Sequence, residues 1–177
     1  MSRAFLKNES ADDPVVIPAR APLPPGVTNY VTPRGLALLQ AELAELETEH
    51  GHVQISELDE SERTRRLAEL NVRIGALNQR IATAKLVDRH AHTQDPIIRF
   101  GATITLRSHS LKAGVTERKL TLVGVDEADA SHGRIAFTAP IARLMLGKRV
   151  GERVSLRTPQ GENEMEIVGV SYDVPFL

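Results

Sequence analysis

The chain contains no cysteine and no tryptophan, and aromatic residues make up only 3% of its 177 residues. The missing cysteines exclude disulfides, thiol catalysis and thiolate metal sites, and they fit a reducing cytoplasm. The scarce aromatics argue against a prolyl-isomerase-type pocket, which needs an aromatic lining. No run of about 18 apolar residues is present, so no membrane-spanning helix is expected. Met1 to Asp13 has no apolar core of the kind that a secretory signal carries. The sequence has no G-x-S-x-G elbow, no phosphate-binding P-loop and no GxGxxG fingerprint. A formal net charge of −1 excludes binding to nucleic acid through bulk positive charge.

What is present is unevenly distributed. Residues 1–29 carry Pro14, Pro18, Pro22, Pro24 and Pro25 among charged and small residues. They read as a flexible Pro-rich tail, or else as a segment lying on the body through Val15, Val16 and Ile17. Thr32-Pro33 is a helix start, because threonine caps free amides and proline fits the first turn. Leu36, Leu39, Leu43, Leu46, His50 and Val53 then follow at alternating steps of three and four. Leu67, Leu70, Ile74, Leu77, Ile81 and Ala84 repeat that spacing. Two heptad seams separated by a polar stretch predict an antiparallel coiled-coil hairpin over residues 30–90.

The charges divide between its arms. Residues 34–62 hold one base and eight acids, and residues 63–87 hold six bases and one acid. Arms of opposite sign select each other and set their orientation, although each surface pair contributes only a few tenths of a kcal/mol. Gly51 and Gly75 weaken the helices, and Gly51 is a possible early end of the first one.

Beyond Asp95-Pro96 the pattern changes to short segments rich in Val, Ile, Leu and Thr. They run over 102–106, 118–125, 134–137, 153–157 and 164–172, with turn signals between them. Pro140 to Leu146 is a short apolar helix closed by Gly147, with Ile141, Leu144 and Leu146 expected in the core. The fold class is α+β, a helical hairpin followed by a mostly antiparallel sheet with one helix over residues 96–173.

Several stretches carry a family resemblance. NYVTPRGLALLQAELAEL (Asn29 to Leu46) resembles the opening of the Gre family, bacterial transcript-cleavage factors of RNA polymerase. FGATITL, LVGVDEAD, PIARLMLGKRVGERV and RTPQGENEMEIVGVSY follow that family in order and spacing, so that the resemblance covers residues 29–173. It implies a C-terminal domain of FK506-binding-protein-like fold, docking on a beta-prime-subunit coiled coil at the rim of the polymerase secondary channel. It also implies that the hairpin enters the channel, where acidic tip residues help hold a second Mg²⁺ at the polymerase active centre near the RNA 3′ end. Such a factor has no cofactor of its own, acts as an accessory rather than an enzyme, and is expected to be a cytoplasmic monomer.

The family's tip pattern, Gly-Asp-Leu followed by Glu-Asn-Ala-Glu-Tyr, is absent here. The midpoint of the hairpin instead carries ISELDESE, with Glu57, Asp59, Glu60 and Glu62. These four are the candidate cleavage residues, and Asp59 and Glu60 the candidate Mg²⁺ donors, since Mg²⁺ prefers carboxylate and water oxygens. Ser56/Asp59 and Asp59/Glu62 also have capping-box spacing, so the same acids equally suit a helix N-terminus. Each arm is about six residues shorter than in the family, which is about 9 Å of reach. Some Gre-like proteins with short hairpins, the regulators of nucleoside diphosphate kinase among them, are understood to bind polymerase without stimulating cleavage. A non-cleaving regulator is therefore a second reading, and a small ligand-binding protein a third. The candidate docking residues are Asp126, Glu127 and Asp129 in an acidic turn, Thr138, Ala139 and Pro140 where the family has Asp or Asn, Ser and Pro, and Arg143. The pairs His50/His52 and His90/His92 are spaced at i and i+2, which points them apart on a helix and disfavours a zinc site.

Overall fold

The computed structural model describes residues 20, 22–87, 97–110, 114–158 and 161–172. Val15, Val16, Ile17 and the His90/His92 pair lie outside the described residues.

Strand β1 (Tyr30–Val31) leads into helix α1 (Pro33–Gln54), and α2 (Glu60–Ala82) is followed by strand β2 (Lys85–Leu86). The Oγ1 of Thr32 accepts from the Gly35 amide at 2.9 Å, and Pro33 occupies the first turn. Helix α1 runs through Gly51 instead of stopping there. Five residues, 55–59, separate the helices, and the Asp59 carboxylate caps α2 by accepting from the Glu62 amide at 2.9 Å.

The heptad spacing closes the hairpin. Leu39, Leu46 and Val53 of α1 are buried with Leu70 and Leu77 of α2, and Leu36, Leu43, Leu67, Ile74 and Ile81 pack around them. Burying five such side chains, at about 1.5–3 kcal/mol each, outweighs the cost of Gly51 and Gly75 in the helix interiors. One ion pair links the outer faces of the two helices among the described residues, Arg66 to Glu49 at 2.9 Å. At the open end, β1 and β2 pair in parallel, Tyr30 opposite Lys85 and Val31 opposite Leu86. This pair ties the two ends of the hairpin together, and no local period in the sequence announces it.

The rest of the described chain is a five-stranded sheet. Its strands are β3 (Thr103–Ser110), β4 (Gly114–Val123), β5 (Arg134–Ala136), β6 (Arg153–Thr158) and β7 (Gly161–Ser171), in the order β5-β4-β3-β7-β6. Three pairings are antiparallel, but β4 and β5 are parallel. The sheet is thus mostly antiparallel, as expected, with one parallel pair that the sequence did not announce. The cause lies between them, where two short 3₁₀ turns, Val125–Glu127 and Ala130–His132, carry the chain back before β5 starts.

Helix α3 (Pro140–Met145) lies against the sheet through Ala142 and Met145, both fully buried with Ile104, Leu106, Leu122 and Ile167. Ile141 and Leu146 pack at the edge of this core as expected, but Leu144 is 41% exposed. A helix turns the residues at i and i+3 to one side, so Ala142 and Met145 face the sheet and Leu144 turns away.

Candidate functional site

Two regions carry the candidate residues, the hairpin tip and the sheet domain beside the hairpin base. At the tip, Ile55 is 83% exposed, and Glu57, Asp59, Glu60 and Glu62 are all exposed. The backbone fixes this end tightly. The Ser56 hydroxyl donates to the Val53 carbonyl at 2.7 Å, and the Arg63 guanidinium donates to the Leu58 carbonyl at 2.7 Å. Asp59 is committed through one carboxylate oxygen to its cap. Glu60 and Glu62 stand in the first turn of α2, where carboxylates complement the helix dipole. Among the described residues, the carboxylates of Glu57 and Glu60 have no hydrogen-bonded or ionic protein partner, although the Glu60 carbonyl accepts from the Thr64 hydroxyl. Nor do three His, Asp or Glu side chains converge there as a metal cluster would. Any cation at this tip needs further ligands from another molecule. The donor chemistry itself suits Mg²⁺: two uncommitted carboxylates and the second oxygen of Asp59.

The acidic turn is placed otherwise than the sequence suggests. Glu127 is 6% exposed and faces the start of α1. It accepts from the Thr32 hydroxyl, and the Arg34 guanidinium lies 3.2 Å from its other oxygen. Thr32 therefore serves both as helix cap and as donor across the junction. Gly35 is part of the same contact, because a Cβ there would sit 2.9 Å from Glu127 Oε2. Asp126 is held from two sides. Arg20 donates to its Oδ1, and the buried Arg80 places Nη1 3.3 Å from its Oδ2. The other arm of the Arg20 guanidinium donates to Glu42 on α1. Burial alone would lower the Arg20 pKa, but its hydrogen bonds to Glu42 and Asp126 outweigh that and raise it. Asp126 and Glu127 thus join the sheet domain to the hairpin and are not an open face for a partner.

Asp129 is the member of the turn that reaches the surface. Its carboxylate takes the Ser131 hydroxyl at 2.5 Å and lies 2.5 Å from His132 Nδ1, and these bonds hold its pKa well below the usual carboxylate range. It also caps the second 3₁₀ turn, through the Ser131 amide.

The residues around α3 stay accessible. Thr138 and Ala139 are half-buried, while Pro140, Arg143 and Leu144 are exposed. Ala139 holds the N-cap position of α3 without a side-chain hydrogen bond, where the resembling family has serine. Arg143 and Leu144 present a cation beside an apolar side chain, and Leu144 is a surface residue that the sequence reading assigned to the core.

Composition gave no hint of an aromatic contact at the junction. Tyr30, Phe100 and Phe137 form a closed trio with ring centroids 5.4–5.9 Å apart. Arg20, Arg34 and Arg80 were likewise not legible as junction residues. The one sequence signal was the VDEAD run itself, an acidic cluster that needs cations. On the sheet, an open depression of about 290 Å³ is lined in part by Leu106, Ser108, Thr116, Arg118 and Met165. It collects no set of catalytic side chains.

Comparison with known proteins settles the family. Residues 93–172 match the model of the transcription elongation factor GreA/GreB C-terminal domain. The chain is 34% identical over 157 residues to transcription elongation factor GreB of Neisseria meningitidis, covering 81% of this chain and 94% of that protein. The chain belongs to the GreA/GreB family of transcription elongation factors. This Gre-family chain is also 38% identical over 122 residues to GreA of Azorhizobium caulinodans, covering 68% of this chain and 75% of that one. Against the GreA/GreB factor of Nitrosomonas europaea the TM-score is 0.40 at 22% identity, covering 82% of this chain and 99% of that chain. As a Gre-family factor the chain is an accessory transcription factor, not an enzyme in itself. No helix among the described residues is long and apolar enough to cross a membrane.

Proposed function

We propose that this factor docks on bacterial RNA polymerase at the rim of the secondary channel. Its sheet domain sits on the beta-prime coiled coil, with Thr138, Ala139, Pro140, Arg143 and Asp129 on the docking side. The hairpin points into the channel, and its tip acids assist the polymerase's own cleavage of backtracked RNA. One observation carries this reading: Glu57 and Glu60 are exposed and uncommitted at the far end of a hairpin whose base is bonded to the sheet domain. At about 1.5 Å per residue, the 22 residues of α1 place that end about 33 Å from the base.

The division of work follows from the bonds each acid already makes. Asp59 fixes the start of α2, so its neighbours project from a defined turn. Glu57 and Glu60 offer carboxylate oxygens to a Mg²⁺ shared with the polymerase, with the second oxygen of Asp59 beside them. When bound, a second Mg²⁺ stabilises charge on the attacking or leaving oxygen of phosphodiester hydrolysis. The tip supplies part of its coordination shell, and its four carboxylates repel phosphates.

The test is RNA shortening in stalled elongation complexes. The parent protein is expected to stimulate cleavage, and Glu57→Gln with Glu60→Gln to abolish it while polymerase binding persists. A parent that binds yet gives no shortened RNA overturns the cleavage reading. A second reading, a non-cleaving channel regulator that competes with other Gre-type factors, is favoured by the capping role of Asp59, which removes one oxygen from any cation. Under that reading the parent displaces a cleaving factor in the same assay and leaves the RNA intact.

A further inference from the structure

The residues ahead of the hairpin make a contact that neither helix packing nor the tip chemistry requires. Arg20 forks between two bodies, one arm on Glu42 of α1 and the other on Asp126 of the sheet domain. Between this segment and α2 lies a cavity of about 270 Å³ lined by Pro22, Leu23, Ala76, Gln79 and Thr83 together with the two arginines. The segment is therefore held by the charged fork of Arg20 more than by close apolar packing.

Geometry gives the fork a purpose. Glu127 fastens the sheet domain to the start of α1, at Thr32 and Arg34. That contact, the Arg80–Asp126 ion pair and the Tyr30–Phe100–Phe137 trio all lie at the base of the hairpin, which leaves its tilt least restrained further along α1. Glu42 lies two helical turns beyond Gly35, about 10 Å further along α1. Joining Glu42 to Asp126 adds an anchor further out along α1, and a contact on a longer lever restrains the angle more tightly than contacts at the base alone. Planar guanidinium suits this task, since its two nitrogens reach two carboxylates at once in a fixed fork. The local charges balance, with Arg20 and Arg80 against Glu42 and Asp126.

We propose that Arg20 is a positioning residue that fixes the angle between the hairpin and the sheet domain, and so sets where the tip acids lie once the sheet domain is docked. The angle is a property of the free protein. Only its consequence for transcription rests on the docking reading above.

The absence of cysteine makes the test direct. Ser61→Cys near the tip and Ser155→Cys on β6, both at exposed positions, accept paired spin labels, and pulsed electron spin resonance reads the distance distribution between them. The otherwise unchanged chain is expected to give one narrow distribution. Arg20→Ala is expected to broaden and displace it, and Arg20→Lys, which reaches only one carboxylate, to fall between. Circular dichroism checks that helicity is retained. Arg20→Ala leaves Asp126 still facing Arg80, so no buried charge is orphaned. Asp126→Asn, which weakens both arginine contacts, is expected to broaden the distribution at least as much. A distribution unmoved by Arg20→Ala overturns the proposal, whatever Asp126→Asn does. If Arg20→Ala moves the distribution but the parent fails to bind polymerase, the docking reading falls and the positioning role stands. If the parent stimulates cleavage, Arg20→Ala is expected to lower the cleavage rate several-fold at unchanged affinity for polymerase.

Discussion

Gly35, Gly51 and Gly75 all lie inside helices, yet alanine has opposite consequences among them. At Gly51 and Gly75 a Cβ meets nothing within 4 Å. Alanine there removes the backbone freedom of glycine, and each change is expected to stabilise the protein by about 0.5–1 kcal/mol, read as a higher urea midpoint. At Gly35 the new Cβ lies 2.9 Å from Glu127 Oε2, a carboxylate held by Thr32 and Arg34 in a buried junction. The carboxylate cannot retreat without breaking those bonds. Gly35→Ala is expected to destabilise by about 1–3 kcal/mol despite the helix preference of alanine, and a raised midpoint would contradict the junction described here. Asp59 allows a similar separation of roles. Asp59→Ala removes the cap of α2 and is expected to cost about 1 kcal/mol of stability, whereas Glu57→Gln, which breaks no protein contact, is expected to leave the urea midpoint unchanged.

At the scale of elements, the hairpin is held by its seam and not by its charges. Leu77 is 1% exposed and packs among the α1 leucines, so Leu77→Ala is expected to cost about 2–5 kcal/mol by thermal or urea unfolding. Removing the exposed Arg66–Glu49 pair is expected to cost under about 1 kcal/mol. This contrast explains which elements were legible beforehand. Steps of three and four residues are a local pattern, and they located both helices and a turn near Ile55 to Glu62, where the structure has 55–59. Short β-branched runs separated by glycine located the sheet strands, although β3, β4 and β7 extend further than their apolar cores. The parallel pairs β1–β2 and β4–β5 were not legible, because strand direction depends on how the chain returns. Leu144 was misplaced because a six-residue helix is too short for apolar content to show which face is buried. The ionic junction was not legible either. Arg20 and Asp126 are more than 100 positions apart, and no pattern in one sequence marks such a pair. The tip acids were found as a cluster, but only the Asp59 cap shows which of them is already committed.

At the scale of the whole molecule, the near-zero net charge conceals a division of labour. The first arm and the tip are acidic, the second arm is basic, and the acids are densest at the end furthest from the sheet domain. Such a layout suits a rod that carries carboxylates to a distance set by its length. Reach can be changed without touching tip or junction and without shifting the register of the seam. Deleting residues 47–53 and 64–70 removes one heptad from each arm. Leu46 then takes the seam position of Val53, and Arg63, already at that register, keeps its place at the tip end of α2. The helices shorten by about 10 Å at 1.5 Å per residue. Thr32, Arg34, Glu42, Arg80, Asp126 and Glu127 are retained, so the base of the hairpin stays fastened to the sheet domain, and Pro140 and Arg143 of the proposed docking side are untouched. The shortened protein is expected to bind polymerase with the affinity of the parent and to compete with it for the same site. It is expected to lose any stimulation of RNA cleavage even though Glu57, Asp59, Glu60 and Glu62 are intact. Competition assays with a fluorescent parent protein and cleavage assays on stalled complexes separate these two quantities. Cleavage that survives the loss of a heptad would mean that the tip acids do not act at the end of a measured reach.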